Sequence, residues 1–150
     1  MSRVLIAIAL TAILGPIARG ADNTTTKHTS AVKIKLTIDN KILTATLADN
    51  ATARDFASLL PLTLTMNDLF RREKFGHLPR ATSDQGKRTH TYEIGDIAYW
   101  SPGPDVAIYY HHDGEQIPDP GIIVIGKIDS GVAPLNVRGS VKVAMELMQK

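Results

Sequence analysis

The sequence contains no cysteine. That excludes a disulfide scaffold, thiolate zinc sites and a cysteine nucleophile. Charge of either sign is not in excess: 17 Lys and Arg stand against 15 Asp and Glu, a net of +2. With Arg3 and Arg19 of the apolar N-terminal segment set aside, the two signs balance. The remaining chain is therefore neither a strongly basic nucleic-acid binder nor an acidic disordered tail. Glycine-rich phosphate loops are missing too, because Gly76, Gly86, Gly95 and Gly103 are scattered singly. There is no G-x-S-x-G elbow for a serine nucleophile, and Ser130-Gly131 reads as a turn. The longest apolar run, residues 4–14, is interrupted by Thr11. It is far short of the ~20 residues a spanning helix needs.

That run has another reading. Arg3 precedes it, Gly15-Pro16 breaks it, and Ala18 and Gly20 place small residues at −3 and −1 of a cut before Ala21. This is the layout of a secretory signal peptide over 1–20, bacterial in its details, and it predicts a periplasmic or secreted protein that is free of the membrane after cleavage. Residues 21–31, ADNTTTKHTSA, are polar and Thr-rich and read as a flexible leader. The folded domain is expected over 32–150.

Within that domain short alternating segments dominate. VKIKLTI (32–38) puts Val32, Ile34, Leu36 and Ile38 on one face, the mark of a half-buried strand. Asp39-Asn40 makes a tight turn, and 41–47 returns antiparallel. Thr52 followed by Asp55 has a capping-box spacing, with Phe56, Leu59 and Leu60 as the apolar stripe of a short helix that Pro61 ends. Further strands are expected at 62–66, 92–94 continuing through 97–100, 106–110, 122–128 and 141–147. Residues 67–79 read as irregular and charged, 80–91 and 111–121 as loops, and 130–136 as room for one helical turn. No helix separates successive strands. This excludes a parallel α/β sheet and predicts a mainly β chain, an antiparallel barrel or sandwich with one or two short helices. Pairing the first strand with the last would remove both edges.

Chemistry-bearing clusters are sparse. His111-His112-Asp113-x-Glu115 holds four ligand types in five residues, but adjacent strand residues point to opposite sides. It reads as a solvated loop, so no metal and no cofactor is expected. Arg71-Arg72-x-Lys74 lies beside Glu73 and is too short for nucleic-acid binding. The aromatics remain. Tyr92, Tyr99, Trp100, Tyr109 and Tyr110 fall on neighbouring segments. One member of each adjacent pair belongs in the core and the other faces solvent or a groove.

Four segments together carry a resemblance: ATARDFASLLPLTLTM (51–66), REKFGHLP (72–79), GDIAYWSPGPDVAIYY (95–110) and GIIVIGKIDSG (121–131). They resemble the bacterial cyclophilin-like domain family over about 33–148. The resemblance implies a closed, eight-stranded antiparallel β-barrel with short helices over its ends. It is also distantly similar to true cyclophilins, which are peptidyl-prolyl isomerases. In those proteins a fixed Arg favours the single-bonded amide while an apolar pocket grips the proline. The true cyclophilins' Phe-His-Arg run and its partner Gln have no counterpart here.

Two functional expectations follow. The first is an exported, non-catalytic module that binds a proline-containing peptide or a small ligand in a groove formed by Glu73, Lys74, Phe75, Trp100 and Tyr110, with Arg80 at the rim. The second is a divergent prolyl isomerase in which Arg71, Arg72 or Arg80 replaces the strand arginine. A guanidinium beside an apolar slot would favour the second.

Overall fold

The structure is a computed structural model that describes residues 30–149. The expected signal peptide, and the leader up to residue 29, lie outside the described residues. Among the described residues nine strands form: β1 (Lys33–Ile38), β2 (Lys41–Leu47), β3 (Leu62–Leu69), β4 (Glu73–His77), β5 (Arg88–Thr89), β6 (Asp96–Trp100), β7 (Asp105–Tyr109), β8 (Ile122–Ile128) and β9 (Val141–Leu147). One α-helix, α1 (Ala51–Ala57), and one 3-10 turn (Ala133–Leu135) complete them.

All pairings are antiparallel. The order β2-β1-β9-β3-β4-β7-β6-β8 is closed by β2 pairing with β8, so eight strands form a barrel and the two-residue β5 is added on β8. The first strand does pair with the last, Ile34 opposite Leu147. The seam between β2 and β8 is close: a Cβ at Gly126 would lie 2.9 Å from the Thr46 carbonyl oxygen and 3.1 Å from the Leu47 side chain.

Alternation fills the interior. Ile34, Leu36 and Ile38 of β1 meet Leu43, Ala45 and Leu47 of β2, with Met66, Tyr99, Val106, Ile108, Val143 and Met145 from the other strands. Val32 lies before β1 and is exposed, and Ile42 shares the outward face of β2 with Thr44 and Thr46. Phe56 and Ala53 of α1 and Leu135 of the 3-10 turn drop into the same cluster. The helix is capped by Asn50, whose side chain accepts from the Ala53 N–H at 2.8 Å. Thr52, expected as the cap, is a buried residue of the first turn whose hydroxyl has no partner. Asp55 instead accepts from Arg80 and from the Ser83 N–H.

Three further expectations are corrected. β3 runs on to Leu69, and the segment read as irregular contains β4. Residues 92–94 are not a strand; they cross the outside of the barrel before Gly95 turns into β6.

Candidate functional site

β4, β7 and β6 are adjacent in the barrel wall, and the inward residues of β6 and β7 belong to the main core. Their outward residues are also covered. Ala98, Ala107 and Tyr109 form a second apolar cluster on the outer surface with Tyr92, Ile117 and Ile122, and Phe75 and Trp100 pack against it. A second buried layer exists because the segments 90–93 and 111–121 fold back over these strands. The Ile117 N–H donates to the His90 carbonyl at 2.8 Å.

The covering segment is pinned by Asp113. Its carboxylate accepts from the Tyr92 hydroxyl at 2.9 Å and from Arg72 Nη1 at 3.2 Å. The Glu115 N–H, then Tyr92 and Arg72, hold the Asp113 carboxyl below its ordinary range. Tyr92 stacks on Tyr109 on one side, centroids 4.1 Å apart, and on His112 on the other at 4.7 Å. These contacts give His112 and Asp113 of the five-residue cluster a packing role. Among the described residues, no group of three or more His, Asp or Glu comes together to hold a metal.

Between this layer and the β3–β4 turn lies an apolar slot of about 230 Å³, walled by Phe70, Phe75, Trp100, Ala107, Tyr109 and Ile117. Arg72 and Glu73 border it. Arg72 Nε donates to Glu73 Oε2 at 2.9 Å, and both side chains are buried. Burial pushes the Glu73 carboxyl up, against the pull of Arg72. Burial also works against the charge on Arg72, but the Glu73 and Asp113 carboxylates outweigh it. The guanidinium lies 5.4 Å from the Phe70 ring centroid and 5.5 Å from that of Tyr92, within cation–π range.

The residues expected to form one groove are divided between two places. Glu73, Phe75 and Trp100 meet at the outer slot. Lys74 and Tyr110 do not, because strand alternation turns both to the barrel interior. Lys74 is fully buried at the barrel end opposite α1, and its Nζ donates to Asp68 Oδ2 at 2.6 Å and to the carbonyls of Val137 and Gly139 at 2.6 and 2.7 Å. The Tyr110 hydroxyl donates to the same Asp68 oxygen; burial, then this hydrogen bond, pushes its pKa up to about 12. Burial alone would raise Asp68, but Lys74 and Tyr110 hold it below its ordinary value.

The three arginines separate as well. Arg72 borders the slot. Arg71 is exposed and lines a polar cavity beside Asp68 and Tyr110. Arg80 lines neither cavity, and it ties the following loop to α1 through Asp55 at 2.7 Å and Ser58 at 2.9 Å. Sequence reasoning missed Tyr109 and Ile117 as parts of the slot, and Asp113 as the residue that pins its cover. For Tyr109 the signal was present, since it alternates with Tyr110.

A family model described as cyclophilin-like matches residues 36–146. No curated protein matches the chain. The solution structure of a hypothetical protein from Archaeoglobus fulgidus is similar, with a TM-score of 0.62 and 22% identity over 79% of this chain and 95% of that one. At that identity the likeness concerns the fold.

Proposed function

Because the chain belongs to the cyclophilin-like family, we propose that it is an exported, non-catalytic binding module whose outer slot seats one apolar side chain of an extended, proline-containing peptide, or a small ligand of that size. Export rests on the pattern of residues 1–20. Binding rests on one observation: an apolar cavity with an aromatic wall, bordered by an ion pair whose charges already satisfy each other. Such a border leaves the apolar walls to supply affinity, while the few polar groups orient the ligand.

A second reading, a divergent prolyl isomerase, is favoured by the position of Arg72 at the slot. Isomerisation faces a barrier of ~18–20 kcal/mol and needs a guanidinium free to donate to the prolyl nitrogen. Arg72 is already committed to Glu73 and Asp113, which supports the non-catalytic reading.

The test has two readouts on one sample. Trp100 is the sole tryptophan, so slot occupancy is followed by its fluorescence during titration with a short X-Pro peptide. Prolyl exchange in the same peptide, which takes roughly 10–100 s uncatalysed, is followed by NMR. A saturable Trp100 response with unchanged exchange supports the binding module. Exchange that is accelerated, and lost in Arg72→Ala while that variant's spectrum stays dispersed, establishes the isomerase instead. No response across short peptides and small apolar ligands overturns both.

A further inference from the structure

At the barrel end opposite α1 there is a second cavity, of about 320 Å³, lined by Asp68, Arg71, Tyr110 and residues 136–139, Arg138 among them. We propose that this cavity is a binding site for a small oxyanion, a phosphate or carboxylate group, held by Arg71 and Arg138.

Asp68 is the one carboxylate in the lining, and its oxygens are occupied. Oδ1 accepts from the Arg71 N–H at 2.9 Å, and Oδ2 accepts from Lys74 and Tyr110. The Lys74 charge is thereby matched by Asp68. Arg71 and Arg138 have no such match: among the described residues neither guanidinium forms an ion pair or a hydrogen bond within the protein. Two uncompensated positive charges therefore face one polar cavity. Guanidinium forks suit the planar or tetrahedral oxygens of carboxylate and phosphate.

The backbone supplies an independent argument. Phe70 and Arg71 both have φ of +54°, and the turn is closed by the Arg72 N–H donating to the Leu69 carbonyl at 3.0 Å. Two consecutive left-handed residues make the type of tight hairpin turn usually built from Asn and Gly. Bulky side chains are disfavoured there, and strain of this kind concentrates at functional sites. The turn sends Phe70 to the apolar slot and the next side chain, Arg71, to the polar cavity.

The experiment is an NMR titration of the ¹⁵N-labelled full chain with inorganic phosphate and, separately, with acetate, each against chloride at equal ionic strength. Saturable shifts at the amides of Arg71, Val137 and Gly139 are expected. Arg138→Gln and Arg71→Asn, the latter because Asn tolerates positive φ, should each weaken binding about tenfold, as for loss of one charge-assisted hydrogen bond. Both positions are exposed, so a dispersed spectrum verifies that the variants fold. Saturation by one anion only assigns the site to that class. No saturable response to either anion beyond chloride overturns the proposal, as does unchanged binding in the double variant. The apolar-slot reading is scored separately, through Trp100.

Discussion

Arg72 and Glu73 are consecutive in sequence yet pair side by side, Nη2 and Oε2 2.9 Å apart, both buried on the outside of a closed barrel. Consecutive strand residues point to opposite faces. The exception arises because Arg72 precedes β4, and its carbonyl accepts from the N–H groups of both Tyr110 and His111.

The two halves of this pair should respond unequally to substitution. Arg72→Met leaves a buried carboxylate without its cation, and the expected loss at neutral pH is about 3–5 kcal/mol. Glu73→Gln should cost much less. Arg72 keeps Asp113, and burial has already raised the Glu73 carboxyl. In Arg72→Met the carboxyl rises further, so the variant should recover part of its stability on acidification from pH 7 to about 5. Urea unfolding at the two pH values checks this, and equal losses in the two variants would contradict it.

Lys74→Met should cost about 3 kcal/mol or more, since it leaves Asp68 uncompensated and removes the donor to two carbonyls. Adding Asp68→Asn should restore part of the loss, because the unpaired charge is gone. A double-mutant cycle by urea unfolding measures the coupling.

Gly126→Ala tests closure. The added methyl would press on the Thr46 carbonyl and the Leu47 side chain across the β2–β8 seam. A loss of about 1–3 kcal/mol is expected, with faster amide exchange at residues 45–47 and 126–128. Uniform exchange changes throughout the barrel would place the strain elsewhere.

Acid should destabilise the fold. Asp55, Asp68, Asp113 and Asp129 all have pKa values lowered from 3.8. A lowered carboxyl contributes stability that is present above its unfolded value and is lost as pH falls through its folded one. Glu73 is raised from 4.5 and acts in the opposite sense, losing its contribution as pH rises. Glu93, lowered from 4.5 first by its hydrogen bond from Lys127, acts with the four aspartates, so with five groups against one, unfolding midpoints should fall as pH drops below about 4. Asp129→Asn should flatten that slope, because Asp129 is held down first by Thr46, then by Thr44 and Lys33.

The barrel was legible in the sequence where one face of a strand is apolar and the other polar. β1 and β9 follow that rule, and their apolar faces became the core except at Leu147, the exposed end of β9. β4 was not legible because both of its faces are buried and each contains a charge: Glu73 under the outer layer and Lys74 inside the barrel. Glu73 is neutralised by Arg72, just before the strand, and Lys74 by Asp68, so neither charge marks a solvent face and no periodic signal is left to detect. The division of the expected groove has the same origin. The residue types were visible, but the side of the wall each would face depended on where β4 begins. For α1, Asn50 and Thr52 were both chemically fit to cap, and only the position of the first turn decides between them.

The barrel wall is double-sided: Val106, Ile108 and Tyr110 pack inward, and Ala107 and Tyr109 pack outward. The two sides share a backbone but almost no side-chain contacts, and substitutions without shared partners tend to add independently. Under the binding function proposed above, changes at Phe75, Trp100, Tyr109 or Ile117 would alter ligand preference while leaving the inner packing that secures the fold intact. The apolar part of the outer layer is in effect a skin whose side chains can be exchanged without renegotiating how the barrel folds.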